Sequence, residues 1–332
     1  MATPEIAADL PLFDPEAGRV VLEPESAGAG YWVGAPAISH DEERDTFLLA
    51  YRRRRPRGVG SDRGHVTAIA ESRDGFDFED IWSLEKEALD STSIERCCVL
   101  RCPDGVYRHY LSYVDPADLR WRTDVLEAES PAGFELSRRR EVFTAATASR
   151  HHGGPVEGVK DPKVFLVDGV YHMLLSIAEG APEDPGAFRN LHATADVYNT
   201  GLLRATTALA TSVDGVEFEW QGRCLDTGSA GSWDGYQSRL GTVIRRGDRW
   251  YGLYDGSASH RENYEEKCGV ARSSDLRSWE KLTDESPLLT SPEGNGSLRY
   301  VDALTVGEEI LYYYEMARED GSHELRCARV RA

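Results

Sequence analysis

One short phrase returns along this chain and restricts its possible folds more than any other feature. The phrase is Ala-x-Ser-x-Asp with an aromatic residue four positions after the aspartate, and it begins at Ala70, Ala210 and Ala271. A weaker copy, with alanine in place of the aspartate, begins at Ala128. Copies that return roughly every 60 to 80 residues match one supersecondary unit with its loops. The sequence therefore predicts that one structural unit is repeated.

A pair of short, mostly apolar segments joined by a turn precedes each copy of the phrase. In the clearest pair, residues 164–167 and 171–175 flank Asp168-Gly169. Asp-Gly is a strong hairpin signal, because glycine accepts the positive φ that a tight turn needs. The other pairs lie within residues 37–51, 99–113, 243–254 and 304–314. Each unit is therefore predicted to be a small antiparallel sheet.

Five such units predict an all-β chain that folds as a single-domain, five-bladed β-propeller over residues 1–332. A four-stranded unit alone exposes an apolar face, so neighbouring units must stack to bury it. A β-sandwich would explain the strands and turns equally well, but not the repeated phrase. The blades are predicted near residues 35–80, 95–136, 159–222, 236–282 and 298–332, the last one closed by a strand near residues 19–23.

The charge of the chain limits its partners. A formal net charge of −19 argues against nucleic acid, whose backbone is bound by a positive patch. The acidic surface and the small number of lysines are typical of a halophilic protein, although an arginine bias from a GC-rich genome explains the second feature equally well. The N-terminus has neither the basic start nor the apolar core of a signal peptide, and no segment is apolar and long enough to span a membrane. We therefore expect a cytoplasmic protein without a membrane partner, and its oligomeric state stays open.

Neither the cysteines nor the histidines predict a metal or another cofactor. Cys97 and Cys98 are adjacent, so on a strand they point to opposite faces and fit one tetrahedral site poorly with Cys102. His151-His152 has no third ligand at a suitable spacing. We expect the cysteines to be small buried hydrophobic residues and the protein to work without a cofactor.

Polar residues at the predicted blade starts are the candidates for a functional site. Charges at the start of a buried strand are too costly to leave unpaired, so we expect them to converge on the central channel. The hairpin Asp161-Pro162-Lys163-Val164-Phe165, with Asp168-Gly169-x-Tyr171, resembles the five-bladed-propeller glycoside hydrolases of families 43 and 32 and the family 130 phosphorylases. The resemblance extends through the repeated phrase over most of the chain.

This resemblance implies three carboxylates: a base or nucleophile on the first blade, a middle aspartate that orients and tunes, and a glutamate acid. Asp161 matches the middle aspartate. The first-blade aspartate usually precedes a proline, and here Ala35 stands before Pro36. A different carboxylate must therefore serve, or hydrolysis is absent.

Glu95 and Asp234 are the candidates for the acid–base pair, with the two roles open between them. Glu95 lies at a blade start in Ser93-Ile94-Glu95-Arg96, where a structural Glu–Arg pair is the alternative. Asp234 lies between Trp233 and Gly235, where a turn aspartate is the alternative. The predicted substrate-binding residues are Trp32, Arg96, Lys160, Trp233, Arg239, Asp255, Glu265, Arg299, Tyr300 and Asp302.

Three functions follow from these candidates. The first is a glycosidase that acts on a small glycan or glycoside through two carboxylates. The second is a phosphorylase in which Arg239 and Arg299, with help from Lys160 or His151, hold the attacking phosphate. The third is a carbohydrate-binding propeller without catalysis, which Ala35 supports.

Overall fold

The computed structural model describes residue 6, residues 9–180 and residues 190–332, and its secondary structure is dominated by strands. The prediction of an all-β fold is therefore confirmed. One α-helix of eight residues, α1 (Ala145–His152), follows the second group of strands. No helix within these described ranges is long and apolar enough to cross a membrane.

The strands pair antiparallel in groups of four along the chain, which we call sets one to five. Set one contains β2 (Trp32–Asp41), β3 (Thr46–Arg55), β4 (Arg63–Ser72) and β5 (Glu79–Glu85). Set two contains β6 (Cys98–Arg101), β7 (Tyr107–Val114), β8 (Trp121–Ala128) and β9 (Arg140–Phe143). Set three contains β10 (Val156–Val167), β11 (Val170–Glu179), β12 (Arg204–Ser212) and β13 (Glu219–Leu225).

The last two sets complete the chain. Set four contains β14 (Gln237–Arg246), β15 (Arg249–Ser257), β16 (Lys267–Ser273) and β17 (Glu280–Lys281). Set five contains β18 (Leu298–Val306), β19 (Glu309–Ala317), β20 (His323–Arg331) and β1 (Arg19–Leu22), which pairs with β20. The N-terminal strand thus belongs to the same set as the C-terminal one.

Single parallel bridges link some of the sets. Trp32 pairs with His323 between sets one and five, and Ala205 pairs with Gln237 between sets three and four. The first strands of the sets also contact one another, β2 with β6 and β18, β6 with β10, and β14 with β18. An ion pair between Asp161 of β10 and Arg239 of β14 connects the two remaining first strands. The first strands therefore bring their side chains to a common axis.

The repeated phrase forms the same turn after the third strand of three sets. In set three, Asp214 Oδ1 accepts hydrogen bonds from the Ser212 hydroxyl at 2.8 Å and from the backbone N–H groups of Val216 and Glu217 at 2.8 and 2.9 Å. The turns that begin at Ser72 and at Ser273 repeat this pattern. A short side chain that satisfies successive backbone donors explains why Ser-x-Asp recurs there.

The aromatic residue of the phrase packs against a neighbouring set. Phe218 of set three meets Tyr110 of set two edge to face, with ring centroids 5.9 Å apart. Phe78 of set one meets Tyr313 of set five in the same way at 6.0 Å. The phrase therefore fixes a turn and buries apolar surface between sets, as stacking of repeated units requires.

Candidate active site

Three of the first strands contain the same bulge. The pairing register shifts between Gly34 and Ala37 in β2, between residues 160 and 163 in β10, and between residues 299 and 302 in β18. Inside these bulges Ala35, Asp161 and Tyr300 have φ angles of 51°, 58° and 53°. Positive φ is uncommon for residues other than glycine, and a bulge redirects a side chain. The three residues therefore occupy equivalent positions at the axis.

Asp161 is held by groups from three other parts of the site. Its Oδ1 accepts a hydrogen bond from the backbone N–H of Arg96 at 3.3 Å, and its Oδ2 accepts one from Nη1 of Arg239 at 3.0 Å. The Lys160 ammonium lies 3.5 Å from the same Oδ2. Asp161 is 2% exposed, so these partners compensate the burial of its charge.

Glu95 lies on the other side of Lys160. It forms an ion pair with Nε of Arg52, and its Oε2 is 3.7 Å from Lys160 Nζ. Burial alone would raise the pKa of Glu95, but the charges of Arg52, Lys160 and Arg54 outweigh burial and hold it well below the usual range. Glu95 is therefore ionised at neutral pH. Because both carboxylates contact one ammonium, Oε2 of Glu95 and Oδ2 of Asp161 lie no more than about 7 Å apart, an upper limit that is compatible with the carboxyl pairs of glycosidases.

Two arginines at the axis are neutralised by carboxylates on the next strand. Arg239 donates to Asp255 from Nε and Nη2 at 3.0 and 2.6 Å, and Arg299 donates to Glu315 from the same two atoms at 2.9 and 2.7 Å. Glu266 accepts from Arg299 at 2.6 Å and lies 3.7 Å from Arg239. Burial would raise the pKa of Glu266, but the two arginines lower it to about 2. Because each guanidinium donates two hydrogen bonds to a carboxylate, the positive charges of Arg239 and Arg299 are largely compensated.

Tyr300 lies at the centre of the charged groups. Its ring stacks on the Arg239 guanidinium at 3.7 Å, and its backbone N–H donates to the Asp255 carboxylate at 2.9 and 3.0 Å. Its hydroxyl has no hydrogen-bond partner among the described residues. Burial raises the pKa of Tyr300, and the charges of Asp161 and Glu95 add to this shift. The hydroxyl therefore stays protonated and able to donate.

A second group of ions is buried along the same axis, and we call it the axial ion cluster (Arg96, Lys163 and Asp302). Asp302 lies 2.7 Å from Lys163 Nζ and 3.3 Å from Nη2 of Arg96. Arg96 also donates to the carbonyl of Pro36 at 2.8 Å and to that of Gly241 at 2.7 Å. The side chains of Arg96 and Asp302 have no exposed surface. The cluster thus connects all five sets. Arg96 and Asp302, two of the predicted substrate-binding residues, are not accessible to solvent.

Solved structures with this fold cover nearly the whole chain. A thermostable family-43 glycoside hydrolase matches at a TM-score of 0.63 with 14% identity, covering 92% of each chain. The β-1,2-mannobiose phosphorylase from Listeria innocua matches at 0.60 with 15% identity, covering 97% of this chain and 93% of its own. An endo-arabinase from Bacteroides thetaiotaomicron matches at 0.58 with 12% identity, covering 95% and 97%. This chain has their propeller fold.

The sequence alone gives no such match. No family model matches the chain, and no curated protein is similar to it. The likeness to the propeller structures therefore concerns the fold, while the roles of individual residues depend on the site described above.

The structure does not bring Asp234 to the other two predicted catalytic residues. Asp234 accepts a hydrogen bond from Tyr254 at 3.0 Å and pairs with Lys281, which also donates to Ser238 at 2.8 Å. Side chains alternate across a strand, so Ser238 and its neighbour Arg239 face opposite sides of β14. Asp234 therefore lies on the side of the strand that faces away from the axis, and its pairing with Glu95 in catalysis has no geometric support.

Two further predicted binding residues lie outside the axial site. The Trp233 ring stacks on Tyr254 at 5.5 Å, and its Nε1 donates to the carbonyl of Thr283 at 2.7 Å. The Glu265 side chain is half-buried and has no hydrogen bond or ion pair among the described residues. The next residue, Glu266, accepts a hydrogen bond from Arg299 in the axial site.

Trp32 is at the site, but its ring is already covered. It stacks on His323 at 4.6 Å, and the guanidinium groups of Arg54 and Arg299 each lie 4.8 Å from its centroid. A sugar therefore has no free face of this ring on which to stack. Trp32 positions the charged groups around it.

Several residues at the axis were missed by sequence reasoning, and some had a usable signal. Asp255 lies 16 residues after Arg239, and Glu315 lies 16 residues after Arg299. In both pairs the acid lies opposite the arginine across a hairpin. An acid 16 residues after each of these two arginines was thus visible in the sequence. The missed residues are Arg52, Arg54, Glu266, Glu315 and His323.

Proposed function

We propose that the protein is a five-bladed propeller that hydrolyses a small glycan or glycoside at its axis. The five sets of four strands support the blade number, and the fold shared with glycoside-active enzymes supports the substrate class. The observation on which the proposal rests is the meeting of Glu95 and Asp161 at Lys160, with Nζ 3.7 and 3.5 Å from the two carboxylates. This contact brings the proposed base, Glu95, and a second carboxylate that orients its neighbours to one place, as in the carboxylate sites of glycosidases.

Each group in the site has a distinct proposed task. Glu95, ionised through its pairing with Arg52, accepts the proton of the attacking water. Asp161 pairs with Arg239 and Lys160 and thereby fixes the positions of both groups beside Glu95. The Tyr300 hydroxyl gives its proton to the leaving oxygen as the glycosidic bond breaks, and it regains a proton through water once Glu95 releases the one it took.

Release of a chromophore from a panel of aryl glycosides tests this proposal. General base catalysis contributes roughly 10²- to 10⁴-fold, so we expect Glu95→Gln to lower kcat/KM by about 1,000-fold. Asp161→Asn should lower it by at least about 10-fold, because Arg239 and Lys160 lose a charged partner. Glu217→Gln, an exposed carboxylate in the turn after β12, is the matched control and should keep full activity. Full activity of both axial variants would refute the assignment.

A carbohydrate-binding propeller without catalysis is the second candidate, and Ala35 favours it. The first bulge presents a methyl group at the position equivalent to Asp161 and Tyr300. Binding of glycosides by the wild-type protein without any turnover on the panel would support this function over hydrolysis.

Phosphorolysis has less support from the site. The two arginines assigned to phosphate, Arg239 and Arg299, are engaged by Asp255, Glu315 and Glu266. Product analysis with and without inorganic phosphate separates the two reactions, since only a phosphorylase releases a sugar phosphate. We expect turnover to be independent of phosphate.

A further inference from the structure

Two buried arginines of β3 keep side-chain nitrogen atoms without a hydrogen bond. Arg52 and Arg54 are separated by one residue, so their side chains lie on the same face of the strand. They are 1% and 5% exposed. The intervening Arg53 points to the other face, where it donates to the carbonyl of Glu23. The pair therefore places two guanidinium groups side by side at the axial site.

Arg54 has no anionic partner among the described residues. Its guanidinium lies between two rings, 4.8 Å from the centroid of Trp32 and 4.4 Å from that of Tyr264. Its Nε atom is buried without a hydrogen bond. Stacking on aromatic rings offsets only part of the cost of burying a charge. A guanidinium held in this way keeps its hydrogen-bonding edge unused.

Arg52 adds a second unused donor beside it. Its Nε pairs with Glu95 and its Nη2 lies 3.7 Å from Glu315, but its Nη1 is buried without a hydrogen bond. The charge of Arg54 contributes to the lowered pKa of Glu95, so both arginines are near this carboxylate. Free N–H groups from two adjacent guanidinium forks are the geometry that binds an oxyanion.

The carboxylate that contacts the Tyr264 hydroxyl, Asp196, is already occupied. Asp196 accepts a hydrogen bond from the Tyr264 hydroxyl at 2.7 Å and lies 3.3 Å from Arg57 and 3.7 Å from Arg63. It thereby fixes the ring that supports Arg54 without neutralising Arg54 itself. Arg54 consequently stays available to an anion, although the whole chain has a net charge of −19.

We propose that Arg52 and Arg54 form a subsite for an oxyanion, and that the glycoside bound at the axis contains an acidic sugar whose carboxylate occupies it. The inference rests on the proposed function, since it names the class of substrate at that same site. Free phosphate offers the same chemistry to a guanidinium pair, and the experiment separates the two sources.

Calorimetric titration of the full-length protein with matched sugar pairs tests the subsite. The probes are methyl glucuronide and methyl galacturonide, each against its neutral methyl hexoside, and inorganic phosphate alone. We expect the wild-type protein to bind an acidic sugar at least about tenfold more tightly than its neutral partner, because a charge-assisted fork contributes more than a neutral hydrogen bond. Arg54→Gln should abolish this preference, and Arg53→Gln, with the same charge change on the opposite face, should keep it.

The other outcomes are equally informative. Equal binding of acidic and neutral sugars by the wild-type protein would overturn the subsite and leave the glycoside function standing. Binding of phosphate that depends on Arg54 and does not compete with the neutral sugar would support the oxyanion subsite and assign it to phosphate. Absence of binding for every probe would overturn both the subsite and the function on which it rests.

A second variant guards against loss of folding. Should Arg54→Gln melt at a much lower temperature than Arg53→Gln, Arg54→Lys serves in its place. It keeps the charge and loses the planar fork, so we expect the preference for the acidic sugar to fall several-fold. An unchanged preference in Arg54→Lys and in Arg54→Gln would refute the assignment.

Discussion

The turn after the third strand and the bulge in the first strand are both repeated in this molecule, but they are repeated in different ways. The turns keep their residues: Ser-x-Asp forms the same hydrogen bonds at Asp74, Asp214 and Asp275. The bulges share only their backbone conformation, because the residues inside them are Ala35, Asp161 and Tyr300, which have nearly the same φ. The repeated sequence forms a structural turn, whereas the repeated backbone with changing side chains is the place where we propose that the functional residues lie.

The largest expected effect comes from the axis itself. Arg96→Ala removes the cation that joins Asp302 to two backbone carbonyls and leaves buried acceptors without a partner. Breaking a buried ion pair costs about 3–5 kcal/mol, so we expect the free energy of unfolding to fall by that amount. Denaturant titration measures it. Arg331→Ala, which breaks an exposed ion pair with Glu308, should change stability by less than about 0.5 kcal/mol.

The next effect separates function from stability within the axial bulges. Tyr300→Phe keeps the ring that stacks on Arg239 and removes only the hydroxyl. Loss of one positioned donor costs about 100-fold in kcat, and here the unfolding free energy should change by less than about 1 kcal/mol. Tyr107→Phe is the matched control, because its hydroxyl donates to Asp41 away from the axis. Tyr107→Phe should lower the free energy of unfolding and leave kcat unchanged. The reverse pattern, in which Tyr107→Phe lowers kcat and Tyr300→Phe lowers stability, would contradict the proposed difference between the two hydroxyl groups.

The smallest effect concerns the turns. Asp214→Ala removes the acceptor of two backbone N–H groups and one hydroxyl, and we expect a loss of about 1–2 kcal/mol with unchanged activity. The weak copy of the phrase provides the comparison. The hydroxyl of Ser130 has no aspartate partner two residues later, so Ser130→Ala should change stability by less than about 0.5 kcal/mol. Equal losses in both variants would show that the phrase has no structural task.

The fold was largely visible in the sequence because its signals are local. Asp168 and Gly169 adopt φ angles of 49° and 80° between β10 and β11, the tight turn that an Asp-Gly pair predicts. The repeated phrase gave the positions of three turns for the same reason, since each is stabilised by atoms within a few residues. Leu276 shows where such local signals fail. It has a φ of 65° at the position where the other two copies of the phrase have glycine.

The site was less predictable because its partners come from distant parts of the chain. Asp161 and Arg239 were found at blade starts, and they do meet at 3.0 Å. Asp234 lies apart from them and contacts Tyr254 and Lys281, and its flanking aromatic and glycine residues are equally typical of a turn. Arg54 had no local signal, since a run of arginines at the end of a strand usually indicates an exposed segment. Only the alternation of the strand faces, seen in three dimensions, separates Arg54 from Arg53.

The axial ion cluster has a consequence for how the chain reaches its final state. Arg96 belongs to the second group of strands, yet its carboxylate partner comes from the last. Until the last group of strands has packed, the Arg96 guanidinium must stay hydrated, or its charge must be buried among apolar groups without a carboxylate partner. Chains truncated before residue 302 should therefore fail to reach a compact state, and cooperative folding should depend on the contact between the second and the last group of strands.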